Sequence, residues 1–147
     1  MKLATFIALI MLSASVNAVN FGIHCDGIEL INEMGVAEFV NKCYEKGYNA
    51  ILINVMPWEY YFQSPTLDSL GWEYGGDLLK PLIQHAYEKG MKVFADIQTL
   101  AWKVREGYEN PGRTPSKEDV ASIVLELIEY GIDGISEEMF PVEWMEI

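Results

Sequence analysis

Two carboxylates stand where paired acids do chemistry. Asp96 lies in the run KVFADIQ and Glu138 in DGISEEM, and each run follows a glycine, Gly90 or Gly131, that ends a helix-like stretch. Asp96 is six residues beyond its glycine and Glu138 seven, so the two reach nearly equal heights on neighbouring strands. Successive strand residues alternate faces, which groups Asp96 with Gln98, and Glu138 with Gly134 and Ser136. Neighbouring strands are about 4.8 Å apart, so the carboxyl groups fall within one to two strand spacings of each other. At that separation a pair of carboxyls can act as acid and as base or nucleophile on a glycosidic bond, and proximity drives their pKa values apart. A lone aspartate at a strand end more commonly caps a helix or pairs with a cation such as Lys103 or Arg105. Glu138 has the stronger claim, because a buried strand reading ISEEMF gains nothing structurally from adjacent acids. Glu137, of opposite parity, belongs to the helix layer or a salt bridge.

His24 and Asp26 form an H-x-D pair at the end of a first strand. With Asp96 or Glu138 they would ligate a divalent metal, as in metal-dependent hydrolases on barrels. The only other histidine, His85, falls in the middle of a helix. A single rim histidine is more commonly a substrate hydrogen-bonding group, so the metal is the alternative reading and no cofactor is expected. Asn54 and Gln98, at the ends of their strands, join His24 as substrate hydrogen bonders. Trp58, Tyr60, Tyr61, Phe62, Trp72 and Tyr74 crowd one connection, Trp102 ends the next strand, and Trp144 follows the last. Rings with polar edges suit the apolar faces of sugars, with Trp58, Tyr61 and Trp102 as stacking candidates. Packing the connection down explains any one ring equally well.

Positioning these residues requires a repeated unit. Helix-like runs stop at Gly47, Gly90 and Gly131 and pass straight into strands, at intervals of about 40 residues. An apolar run from Val19 to Cys25 supplies a strand with no helix before it. Four strands therefore alternate with three helices, an α/β parallel half-barrel of TIM-barrel type, with functional residues at the strands' C-terminal ends. The first helix spreads its apolar residues from about Val36 to Lys46, the second opens at Asp77 as N-cap, and the third at Thr114-Pro115. The connections from Met56 to Gly76 and from about Lys103 to Arg113 are long and read as structureless, which marks them as functional.

Lys2, the apolar run Leu3 to Leu12 and the small-residue site Val16-Asn17-Ala18 read as a signal peptide. The run is too short to span a bilayer. Residues 1–18 are thus leader and 19–147 one partial barrel domain, secreted or periplasmic and with no membrane attachment after cleavage. The net charge of -12 repels phosphate backbones and excludes nucleic acid as a partner, which leaves a neutral ligand such as a carbohydrate. Cys25 and Cys43 fall too far apart for a disulfide and read as core thiols.

The segments KGYNAILINVMPWEYYFQSP, GGDLLKPLIQHAYEKGMKVFADIQ and YGIDGISEEMFP together resemble the N-terminal half of a glycoside-hydrolase-type (β/α)8 barrel, in particular glycosyl-hydrolase-like family 10. The resemblance runs from about Phe21 to Pro141. Asn54, Pro57, Ser64, Asp133 and Gly134 keep or nearly keep that family's pattern. Its strand-4 aspartate falls on Glu138, its strand-4 histidine on Ser136 and its strand-2 arginine on Met56. The resemblance implies an exported glycoside hydrolase in which Glu138 is the catalytic carboxylate and Asp96 its partner. Eight strands need more chain than follows Glu138, so the expectation is the first half of a longer barrel. Two copies closing one barrel as a homodimer, or a non-catalytic carbohydrate-binding half-barrel, are the alternatives.

Overall fold

The computed structural model describes residues 21–24, 27–57, 59–97 and 112–137. Its elements follow in the order β1 (Phe21–His24), α1 (Gly27–Met34), α2 (Val36–Glu45), β2 (Ala50–Asn54), α3 (Pro65–Leu70), α4 (Leu79–Glu88), β3 (Lys92–Ile97), α5 (Lys117–Glu129) and β4 (Gly134–Glu137). The strands are parallel and stand side by side in chain order, β1-β2-β3-β4, in a sheet that does not close on itself. Parallel neighbours joined through helices are almost always right-handed crossovers, and in chain order these stack every helix on one face. The packing agrees. Ile53 and Val55 line one small apolar gap together with Ile28 and Ile31 of α1 and Leu79 and Leu82 of α4, and the inward residues of α2 and α5 join the same continuous core.

The helix-to-strand joints have a common local cause. At Gly47 the backbone turns left-handed, φ 83°, and its N–H donates to the Tyr44 carbonyl while Tyr48 N–H donates to that of Cys43. A side chain at that φ is strained, so the glycine ends the helix and releases the chain as a strand. The same turn recurs at Gly90 and Gly131. Cys43 lies inside the core at 2% exposure, where burial pushes its thiol pKa up against a smaller lowering by Lys46.

Four local expectations are corrected. Three helices were expected and the described residues hold five, one of the additional two being α1, Gly27–Met34, buried through Ile28 and Ile31. The connection from Met56 to Gly76 has structure of its own. Ser64 caps α3 by accepting the Leu67 N–H, Pro65 sits in its first turn, and Gly71 ends it left-handed. Helix α5 opens at Ser116, two residues past Thr114, because Ser116 and Asp119 form a reciprocal capping box that satisfies two free N–H groups where Thr114 would satisfy one. Helix α4 begins at Leu79 with Leu78 as its N-cap, one residue past the expected cap Asp77, whose Oδ1 still accepts the Lys80 N–H at 3.0 Å. No helix among the described residues is long and apolar enough to cross a membrane.

Candidate functional site

Asp96 is the one charged side chain buried among the described residues, at 8% exposure. Its Cα pairs with Asn54 on β2 and with Ser136 on β4, so an amide, a carboxylate and a hydroxyl stand in one row across adjacent strands. Ile53 and Ala95, one residue earlier, pack into the helix-side core, and the pleat turns Asn54 and Asp96 to the other face. Asn54 Oδ1 accepts the Met56 N–H at 2.9 Å. That bond occupies the amide oxygen and leaves the NH2 end as donor. Val55 N–H donates to the Asp96 carbonyl at 3.1 Å, which prolongs the β2–β3 ladder past the row and fixes its height. A buried carboxylate flanked by a donor amide and a hydroxyl is suited to holding and moving a proton at a polar ligand.

The other sequence candidates are placed as follows. Glu138, Gln98, Trp102, Trp58 and Asp26 lie outside the described residues. His24 pairs in register with Ile53, one row below Asn54. Tyr61 is 5% exposed and lines an apolar gap shared with Ile53, Val55, Leu78 and Leu82, with its hydroxyl donating to Glu59 Oε2 at 2.9 Å. Such a ring has no free face for a sugar. Tyr60, Phe62 and Trp72, the neighbours that gave the connection its aromatic character, are buried as well, at 1%, 0% and 6% exposure. Tyr60 donates to Asp68 at 2.5 Å, and burial followed by that bond pushes its pKa far up. Trp72 Nε1 donates to the Arg113 carbonyl at 2.8 Å. Of the connection's rings described, Tyr74 alone is largely exposed, at 47%.

Sequence reasoning missed a polar cluster on the outer layer. Glu126 of α5 accepts hydrogen bonds from the Ser64 hydroxyl, from Thr66 Oγ1 at 2.6 Å and from Thr66 N–H at 3.1 Å. Nearby, Tyr130 donates to Asp77 Oδ2 at 2.7 Å and accepts the Gln63 N–H at 2.6 Å. Burial and the Asp77 bond push the Tyr130 pKa up to about 12. A cavity of about 470 Å³ opens beside these groups, with Lys80 and Glu129 on its rim. The available signal was helical spacing, since Glu126, Glu129 and Tyr130 fall on one face of α5. No group of three or more metal-ligating side chains occurs among the described residues.

No family model matches the chain, and no curated protein matches it. Two solved structures are similar to part of the chain. A hypothetical protein from Ruminiclostridium thermocellum is 14% identical with a TM-score of 0.56, over 84% of this chain and 78% of that one. The alpha-fucosidase of Thermotoga maritima, solved with a mechanism-based inhibitor, is 14% identical with a TM-score of 0.49, over 70% of this chain. This chain spans 28% of the fucosidase's length. At such identity the first likeness is one of fold.

Proposed function

We propose that the chain is a carbohydrate-directed hydrolytic unit of the (β/α)-barrel type, exported by its N-terminal leader. The observation that carries this reading is Asp96, a buried carboxylate at the C-terminal end of a central parallel strand, in register with Asn54 and Ser136. That end of a parallel sheet is where βα folds assemble their sites. Glu138 follows Ser136 by two residues in the sequence, and in this reading it supplies the second carboxylate that glycosidic cleavage requires. In this mechanism Asp96 and Glu138 divide the roles of proton donor and of base or nucleophile. The Asn54 amide hydrogen-bonds a sugar hydroxyl, and the resemblance of the three long segments to glycosyl-hydrolase-like barrels points to the same chemistry.

The test is hydrolysis of a panel of aryl glycosides and oligosaccharides by the purified chain, beside Asp96→Asn and Glu138→Gln. Removing an acid–base group costs about 10²–10⁴-fold in rate, and each variant should lose that much while still binding sugar. Sugar binding by the wild-type chain with no turnover would replace the hydrolase with a binding module. A chelator-sensitive activity lost in His24→Ala would instead establish the metal-dependent alternative.

A further inference from the structure

The cavity of about 470 Å³ beside Tyr130 lies on the helix side of the sheet, whereas the Asp96 row faces the other way. Its size falls within the range of about 300–1,000 Å³ typical of small-molecule sites. Two of its carboxylates are already held in place. Glu126 accepts three donors from Ser64 and Thr66, and Asp77 accepts the Tyr130 hydroxyl and the Lys80 N–H. A carboxylate offers about four acceptor positions, so roughly one remains at Glu126 and two at Asp77. The Gln63 amide, the Lys80 ammonium and the Glu129 carboxylate complete the polar lining. Among the described residues neither Lys80 nor Glu129 is held in an ion pair.

Such a lining does not suit a compact ion. An anion meets three carboxylates, and a cation finds most positions on Asp77 and Glu126 spent and Lys80 on the rim. Hydroxyl groups, each of which donates and accepts, satisfy both kinds of lining group. Pro65 and the Tyr130 ring add apolar wall. Tyr74, 47% exposed, leans on Tyr60 with ring centroids 5.1 Å apart; burial first and the nearby Asp77 carboxylate second push its pKa up, so an open ring stands near the Asp77 rim. Rings and polar groups set together in this way suit a sugar. We propose that this cavity is a carbohydrate site separate from the Asp96 row, which holds a short neutral saccharide against Pro65 and Tyr130 through the side chains of Gln63, Asp77, Lys80 and Glu129. The inference rests on the carbohydrate reading of the chain and extends it to the helix layer, where a glycan is held without being cut.

The experiment is an NMR titration of the purified full chain with maltose, cellobiose and lactose, and with putrescine as a small cation, read at the Gln63 side-chain amide and at the backbone amides of residues 126–130. At least one disaccharide should shift these signals saturably, with a Kd of about 1 mM or below, while putrescine leaves them in place. Gln63→Ala and Glu129→Ala, both at exposed positions, should each weaken that binding about fivefold or more. Asp96→Asn should leave it unchanged while hydrolysis falls. No saturable shift with any of the three sugars, shifts with putrescine alone, or full affinity in both alanine variants overturns the proposal. Sugar shifts confined to the neighbourhood of Asn54 and Asp96 would overturn this site and leave the hydrolytic reading standing.

Discussion

Cutting Glu126 should loosen the tie between α3 and α5. Its carboxylate holds three donors from the α3 segment, the Ser64 and Thr66 hydroxyls and the Thr66 N–H, while Ser64 itself caps α3 through the Leu67 N–H at 3.1 Å. A hydrogen bond to a charged group is worth about 1.5–3 kcal/mol when water cannot replace it. Only the Ser64 end, 3% exposed, meets that condition; Thr66 and Glu126 are half-buried, so water recovers much of the rest. Glu126→Ala is therefore expected to cost ~2–3 kcal/mol, and Ser64→Ala a similar amount, about 1 kcal/mol of it from the lost cap. Such a loss lowers Tm by roughly 6–12 °C in a domain of this size. Because the two residues share a bond, the double variant should show a coupling of about 1–2 kcal/mol in urea unfolding. Glu129→Ala, exposed on the same helix, should stay within about 0.5 kcal/mol of the parent. A coupling near zero, or a Glu126→Ala variant as stable as Glu129→Ala, would refute the assignment of Glu126 as the tie between α3 and α5.

Two further outcomes follow from the same region. The Tyr130 pKa is raised to about 12, so the folded state holds that proton more tightly than the unfolded chain, whose tyrosines titrate near about 10. Its stabilisation is complete below about pH 10 and is lost as pH climbs towards about 12. Tyr130→Phe should flatten the fall of the urea midpoint across that window, and an unchanged slope would count against the bond to Asp77. Gly112→Ala would place a Cβ 2.0 Å from Trp72 Cδ1, forcing the indole off the Arg113 carbonyl. A destabilisation of about 1–3 kcal/mol and red-shifted tryptophan emission are expected, and unaltered emission would show that the contact yields freely.

The joints at Gly47, Gly90 and Gly131 were legible because each marks its own conformation: an apolar helical face stops, a left-handed residue follows, and β-branched residues begin. Ser64-Pro65 carried the same start signal that was read at Thr114-Pro115, yet α3 went unread because six residues are too few to show a helical period. At the other site the signal misled by two residues, since Ser116 and Asp119 offered a better cap. The aromatic connection was the larger miss. Composition reveals that Tyr60, Tyr61, Phe62 and Trp72 cluster, but whether rings face a ligand or the core depends on α3 and α5 folding over them. The Asp96–Asn54–Ser136 row was open to parity counting for Asp96 and Ser136, while its alignment with Asn54 is a matter of register. Glu126 looked like any solvated glutamate on an amphipathic helix, for its partners lie 60 and 62 residues away.

That distance has a cost during synthesis. A ribosome adding about 5–20 residues per second takes several seconds to deliver Glu126 after Thr66. For that interval Phe62, which ends up edge-on against Tyr130 with ring centroids 6.2 Å apart, and Trp72, which waits for Arg113, have no lid. The nascent chain therefore presents a sticky aromatic stretch whose covering helix is still inside the tunnel. Until α5 emerges, that exposed apolar surface is open to association with its neighbours.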